Sequence, residues 1–510
     1  MTLRFVPTPI VDGPLERPHP RSDGFDPTLA EAFVPSAALK TGIDRLKRPG
    51  AVAVTTGQQP GLFTGPLYTI HKALSAAALA RVLERQWSRP VVPVFWLAGD
   101  DHDFAEASQA SWIGSDGSVI TAALPPRPPE APLTPMYREP LGPGVSTALD
   151  RLAADLPPSE FRQSTLDWLA RHYHPGATVA GSYAGAMAEL LAPMGVICLD
   201  STHSAVKRAM APHLVRALAS AADLERDLDR YLEALGTTAR TSGVTVGDGA
   251  SLVMLEASLG RDRLVADGPA FVTRRSRERF DLATLQRIAA ESPHRLSPNV
   301  LLRPVLESAL LPTVAYLGGP GELRYLVLTP PVYQRMGIDR QQPLPRWSGV
   351  VVEPRVDRVV EKFGITLAEL LEPSGALEAR LVRSQLPREA VEALASIRTA
   401  VESGYDQLAR AAEAIDPTLT RPIQGVRQQA VAGTQEVEKK LVQHLKRRQE
   451  TELGQLAKAR AAVLPNQKPQ ERVLTVAPFL ARYGPSLLQE LAAEIERWYA
   501  GALEGPPEPS

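Results

Sequence analysis

Between Ala51 and Glu106 the chain passes through an apolar run, a glycine-bearing turn, a three-four apolar spacing and a second apolar run. Ala51–Thr55 reads as a strand. Leu67, Ile70, Leu74, Ala77, Ala78 and Val82 recur at helical spacing, so one helix face packs against a sheet. Val91–Ala98 is apolar almost throughout, as in a parallel strand covered on both faces. Pro66 is expected at the first helical position, where its missing N–H is not needed. Ligands of open α/β sheets bind at the carboxyl ends of strands, where this segment places Gly57–Gly65 and Gly99–Asp103.

The same reading divides the rest of the chain. Residues 1–48 form an irregular lead-in with a short helix near Ala37–Leu46, and 49–120 hold the first part of the core. Pro-rich Leu124–Pro143 and a helical stretch from Ser146 to Arg171 make a first connecting insertion, 121–175. Val196–Leu199 returns to the sheet within 176–210, and a helix from Val206 to Leu235 leads into a second insertion, 211–295. There Val244–Val246, Leu252–Glu256 and Phe271–Thr273 read as short strands between Asp-Gly turns. Core part three, 296–375, carries the strand Thr313–Leu317 and the turn Gly318-Gly319-Pro320-Gly321, with Glu322 opening a helix. In 376–465, Val391, Leu394, Val401, Tyr405, Leu408, Ala412 and Ile415 follow a coiled-coil spacing. Asp416-Pro417 breaks it, and a second helix is expected over Ile423–Val463 with an eleven-residue drift. An antiparallel hairpin results. Its spare apolar stripe is covered by a second copy or by the chain's own core. Residues 466–510 form a C-terminal segment. The fold class is α/β, a parallel-sheet core with two insertions and a C-terminal α-helical antiparallel coiled coil.

Composition narrows the function classes. In 510 residues, 56 Lys and Arg nearly balance 57 Asp and Glu, so nothing advertises nucleic acid or an anionic membrane as partner. The single cysteine, Cys198, excludes a disulfide framework and reads as a small apolar strand residue. With neither a leader-like N-terminus nor a spanning apolar run, a cytoplasmic protein is expected.

Four blocks occur in order: TTGQQPGLFTGPLYTIHK, GDDHDF, SPNVLLRPVLESALLPTVAYLGGPGELRY (Ser297–Tyr325) and NQKPQER (Asn466–Arg472). On these the chain resembles the cysteine-adding ligase family of bacillithiol biosynthesis. The resemblance implies a Rossmann-like core, a homodimer built through the coiled coil, and amide ligation of the cysteine carboxylate to the amine of glucosaminyl-malate. ATP is implied as the energy source.

Such a ligation needs an activated acid, donors for the developing negative charge and an acceptor for the ammonium proton. Gly57, Gly61, Thr64 and Gly65 lie in a turn that either brings backbone N–H groups to an anion or serves geometry alone. Neither the dinucleotide glycine fingerprint nor the Walker loop is present. Gln58 and Gln59 are amides where a purely structural turn would use Asn, Asp or Ser, so at least one of them is expected to bind a ligand. Tyr68, His71 and Lys72 follow within the first helical turns, with His71 either a packing residue or, in the site, a charge stabiliser or base. Asp100, Asp101, His102 and Asp103 would bind a polar substrate, second share magnesium with phosphate, or third form only a solvated turn. No metal site of protein ligands alone is expected, because no second His/Cys cluster has ligand spacing. His102 with Asp101 or Asp103 is the candidate general base. Arg303, near Asn299, meets either an internal acid or a substrate carboxylate. Gly318, Gly319, Glu322 and Tyr325 would face the same crevice. A nucleotidyl-transfer enzyme and a coiled-coil scaffold with a ligand-binding core are the competing readings.

Overall fold

The computed structural model describes residues 3–21, 24–236, 247, 249–372 and 375–504. The chain forms two compact units. One comprises Arg4–Val351 and the segment from Pro469 onward; the other comprises Val352–Lys468 with the extreme N-terminus.

Five parallel strands make the central sheet of the larger unit, in spatial order Gln342–Pro345, Thr313–Gly318, Val52–Gln58, Val91–Leu97, Ile197–Asp200. Numbered along the chain this is 5-4-1-2-3, a doubly wound order that reverses between Val52–Gln58 and Thr313–Gly318. Such a reversal leaves a crevice at the carboxyl ends of the two strands, because their crossover helices leave on opposite faces. Register runs from Val52 beside Val91 to Gln58 beside Leu97, and Thr55 lies beside Tyr316. Every residue of Val91–Leu97 is buried. A Cβ on Gly57 would stand 2.8 Å from the Trp96 carbonyl oxygen, so only glycine fits this closely paired position.

Several elements differ from the sequence reading. The helix after the glycine turn spans Tyr68–Trp87, not starting at Pro66, because the Leu67 N–H donates to Leu474 O at 2.8 Å and holds the chain out of the helix. The first insertion carries two helices, Gly144–Asp155 and Arg162–His172. The long helix expected over 206–235 is broken at Ser220 into Ser204–Ala219 and Ala221–Leu235. In the second insertion Leu252–Glu256 and Phe271–Thr273 belong to an antiparallel sheet of five strands ordered Arg279–Asp281, Ala270–Thr273, Gly260–Asp267, Ala250–Ala257, Leu296–Pro298. The strand expected at Val244–Val246 lies outside the described residues. Within the larger unit the C-terminal segment returns to the core, where Ser486–Glu504 packs along Tyr68–Trp87.

The smaller unit holds the helical hairpin, Arg388–Glu413 against Thr420–Arg448, turning at Asp416-Pro417. The second arm continues as Glu450–Val463 after a break at Gln449. Arg460 is buried here, donating to Leu370 O at 3.1 Å and pairing with Glu378.

Candidate active site at the carboxyl edge of the parallel sheet

Two groups of side chains meet where the strand order reverses. On the side of Val52–Gln58 and Thr313–Gly318, Lys72 reaches back from the first turn of its helix. Its ammonium donates to Gly57 O at 2.7 Å and Gln58 Oε1 at 2.9 Å, and pairs with Glu322 Oε2 at 2.5 Å. Lys72 is 2% exposed and Glu322 20%, so the pair sits at the crevice floor. Burial pulls the Lys72 ammonium below the usual lysine value against the opposing pull of Glu322. Burial would raise the Glu322 carboxyl, but the Lys72 ammonium and its hydrogen bonds carry it below the ordinary range. Glu322 also accepts from the Gly319 N–H at 2.9 Å and from the Tyr316 hydroxyl at 2.5 Å. Three elements are thus fixed through one carboxylate.

Arg303 resolves toward an internal acid: it pairs with buried Glu307 at 2.7 Å, lies over the Tyr316 ring at 4.9 Å and donates to the Tyr325 hydroxyl at 3.5 Å. Burial lifts the Tyr325 phenol to about 12, so it stays a neutral donor. Asn299 builds the turn that leads into the helix Arg303–Leu310, its Oδ1 accepting the Leu301 and Leu302 N–H groups at 3.0 Å each.

The second group rims the end of Val91–Leu97. Asp100 is held by Lys207 at 2.5 Å, and the same ammonium donates to Leu296 O at 3.0 Å. The expected pairing of the His102 ring with Asp101 or Asp103 is not formed. Asp101 Oδ1 accepts the backbone N–H groups of His102 and Asp103, at 2.6 and 3.0 Å, and Asp103 Oδ1 caps Glu106 N at 3.2 Å. These carboxylates fold the loop. The ring instead meets an arginine: Arg261 Nη1 lies 3.4 Å from His102 Nδ1. A guanidinium only donates, so Nδ1 accepts and the proton of the neutral ring sits on Nε2. Burial, then the Arg261 charge, holds the imidazole below its usual value, Asp101 and Asp103 opposing. Arg261 also donates to Ser297 Oγ and Pro298 O, and it has no carboxylate partner among the described residues.

Glu106 ties the two groups together. Its carboxylate accepts from Gln59 Nε2 at 2.5 Å and from the Tyr68 hydroxyl at 3.4 Å, and that hydroxyl in turn accepts from Gln58 Nε2 at 3.2 Å. Desolvation against the crevice wall, then the Asp103 charge, raises its carboxyl above the ordinary glutamate value. A carboxylate poised this way is a better proton acceptor than an ordinary one.

The structure does not bring every expected residue here. Gly61, Thr64 and Gly65 are buried in their own turn, where the Thr64 N–H donates to the Tyr173 hydroxyl at 2.8 Å and the Gly65 N–H to Leu62 O at 2.9 Å. A Cβ on Gly61 would stand 2.9 Å from Gly65 Cα, so packing accounts for that glycine. His71 is 0% exposed, its Nδ1 lying 2.8 Å from Glu471 Oε2. Glu471 also takes a two-pronged bond from Arg346, at 2.6 and 2.7 Å, and the Ser348 hydroxyl at 2.8 Å. Burial, relieved in part by Glu471, holds His71 below its usual value. It serves as a buried strut joining the C-terminal segment to the first helix of the core. Gln470 does similar work, with its amide bonded to Val351 N and O.

Glu106, Lys207, Arg261, Arg346 and Glu471 are the residues that sequence reasoning missed. A reader of TTGQQP and GDDHDF had one signal for Glu106, which stands one helical turn beyond Asp103. Glu471 had one as well, lying within the NQKPQER block, whereas Lys207, Arg261 and Arg346 come from segments that carried none. Cys198 is fully buried and its thiol is pushed up to about 12, consistent with a core residue. Among the described residues no three His, Cys, Asp or Glu side chains are placed to hold a metal ion, and no helix is long and apolar enough to cross a membrane.

Comparison with known proteins agrees with this architecture. Residues 29–347 match the family described as Bacillithiol biosynthesis BshC, N-terminal Rossmann-like domain, and 349–498 match its C-terminal coiled-coil domain. A Salinibacter ruber protein named "Putative cysteine ligase BshC" is 32% identical over 89% of this chain and 82% of its own length. Proteins of the same name from Chlorobaculum tepidum and Symbiobacterium thermophilum are 31% and 32% identical, over 91% and 90% of this chain and 84% and 85% of theirs. A two-sided crevice at the strand reversal of a doubly wound sheet, a helical hairpin and these matches lead to one conclusion: the chain belongs to the BshC family of bacillithiol biosynthesis.

Proposed function

We propose that this chain is a ligase joining the carboxyl group of cysteine to the amine of glucosaminyl-malate, with ATP as the source of activation. The observation that carries the reading is the hydrogen-bonded chain from Lys72, saturated by its acceptors, through Gln58 and Tyr68 to the raised carboxylate of Glu106. ATP supplies a leaving group on the cysteine carboxylate. The chain's residues then have three tasks. Gln58 and Lys72 form the polar floor against which the activated acid lies. Glu106 takes the proton from the incoming ammonium, so that the amine's lone pair attacks the carbonyl carbon. His102, neutral and presenting Nε2–H, donates to the oxygen on which negative charge develops, a task for which a preorganised donor is better suited than a base. Arg261, without a carboxylate partner, offers its charge to a substrate carboxylate beside His102. Arg303 is a weaker candidate for that role because Glu307 already neutralises it.

The Thr64 and Gly65 N–H groups of the glycine turn are engaged within the protein and are not offered to a phosphate. A nucleotide would therefore rest on side chains at the crevice. Magnesium would be held by phosphate oxygens with one or two carboxylates of the Asp100–Glu106 rim rather than by a protein cage. The test is purified protein with ATP, magnesium, cysteine and glucosaminyl-malate, with product masses read. A condensation product refutes the scaffold reading, and its nucleotide partner, ADP or AMP, sets the route of activation.

A homodimer is part of the same proposal. Ile397, Leu408, Val426, Val437 and Leu441 are exposed along the hairpin, and Thr420–Arg448 has no buried residue. A second copy of the hairpin is the proposed cover. Sedimentation of wild type against Val437→Lys/Leu441→Lys tests this: a twofold mass drop is expected, and unchanged mass contradicts it.

A further inference from the structure

The second insertion carries a cavity lined by none of the residues assigned to the crevice, with its Arg263 two residues beyond Arg261 on the same strand. Its floor is one face of the antiparallel sheet. Val265 on Gly260–Asp267 pairs with Ala250 on one side and Val272 on the other, so the three side chains form a short apolar strip on one face. Arg263 lies two residues before Val265, on the same face. The Arg274 N–H donates to Arg263 O at 2.9 Å, which sets these two arginines opposite each other across the ladder. Arg277 completes the group. Together these residues line a cavity of about 420 Å³.

The loop that delivers two of the arginines is rigidly built. Asp262 is buried, and its carboxylate accepts the N–H groups of Arg263, Arg275 and Ser276, at 2.8, 2.9 and 2.9 Å, and the Ser276 hydroxyl at 3.3 Å. Thr273 Oγ1 accepts the Glu278 N–H at 2.7 Å and closes the turn. Arg277 is held at φ 59°, a backbone conformation that costs a side-chain-bearing residue energy. None of the three guanidiniums meets a carboxylate among the described residues. Asp267, the acid on the cavity wall, is already paired with Arg279. Like charges directly opposite across a ladder repel. An anchored loop that maintains this arrangement, over an apolar floor, has the composition of an anion site.

We propose that this cavity binds a small phosphate-bearing molecule, its phosphate oxygens taken by the forks of Arg263, Arg274 and Arg277 and its less polar body laid on Ala250, Val265 and Val272. Guanidiniums match phosphate in charge and in fork geometry. The volume suits a ligand of sugar-phosphate to nucleotide size. Its lining residues are not those of the crevice, so its occupancy would add a control or delivery function to the ligase.

The probe is inorganic pyrophosphate, titrated calorimetrically into the full-length protein at low ionic strength. Four proteins are compared: wild type, Arg263→Gln/Arg274→Gln, Val272→Glu, which sets a carboxylate among the arginines, and Arg287→Gln as a control on an outlying helix. The expected result is a saturable heat in wild type and the control. Its affinity should fall at least about tenfold in the other two, with melting point and turnover unchanged. Equal pyrophosphate affinity in all four proteins, or no saturable heat up to millimolar concentration, overturns the proposal. Tighter binding of citrate than of pyrophosphate to the wild-type site overturns the phosphate assignment.

Discussion

The two sides of the crevice are built on opposite principles. At Lys72 every hydrogen of a buried ammonium has a protein acceptor, and the Glu322 partner is itself bonded to Tyr316 and Gly319. Across the crevice, His102 and Glu106 stand half-buried or exposed, with shifted ionisation and capacity left over. The first side is a scaffold whose charge is spent on geometry. The second holds groups still able to exchange a proton or a hydrogen bond with a ligand. Burial depth alone would rank the Lys72 side as the reactive one, because buried charges attract attention. Counting free donors and acceptors reverses that order.

Breaking the saturated side should have the largest effect. Lys72→Met leaves Glu322 in the crevice floor without its cation, and the expected loss of stability is about 3–5 kcal/mol, read by denaturant unfolding. Activity should vanish with the fold. A variant as stable as wild type would mean that the Lys72–Glu322 pair holds nothing together.

Breaking the open side should separate activity from stability. Glu106→Gln keeps the shape and the Gln59 contact but cannot take a proton. A fall in kcat of about 10²–10⁴ is expected, with melting unchanged within about 0.5 kcal/mol. Wild-type kcat from this variant would remove Glu106 from the proton path.

A smaller effect sharpens the comparison through pH. His102 works as the neutral ring, so activity is lost as pH falls through its folded value, which burial and Arg261 hold below the ordinary 6.5. Arg261→Gln removes the cationic part of that depression. The acid limb of the kcat/KM profile should move to higher pH, and a shift to lower pH, or none, would contradict the assignment. The smallest effect belongs to Tyr68→Phe, which deletes two long bonds, to Gln58 and Glu106. A loss of about 0.5–1.5 kcal/mol, or roughly two- to thirteenfold in kcat/KM, is expected.

What was legible in the chain follows from how local each signal is. Strand, turn, helix and strand over Ala51–Ala98 could be read because apolar runs and three-four spacing report burial directly. Lys72 and Gln58 were found together because one strand–turn–helix unit carries both. The breaks at Ser220 and Gln449 were missed, since an apolar period continues through a one-residue interruption. Pro66 misled because a contact from Leu474, four hundred residues away, overrides the local preference for a helix start. The same distance hid Arg261: an arginine on an alternating strand has the pattern of a solvated face until the fold carries it to His102. His71 was drawn to the site by its position behind the glycine turn, yet helix geometry points it at Glu471 in the interior. Local pattern thus located the crevice, while long-range packing decided which of its residues remain free to act.

The most direct test of the account is product formation by wild type and Glu106→Gln side by side, from ATP, magnesium, cysteine and glucosaminyl-malate, with masses and substrate binding measured on the same samples. The account predicts the cysteinyl condensation product from wild type and at least about a hundredfold less from the variant, both proteins binding the substrates equally. Equal rates from the two proteins, or no product from wild type that binds every substrate, would contradict it.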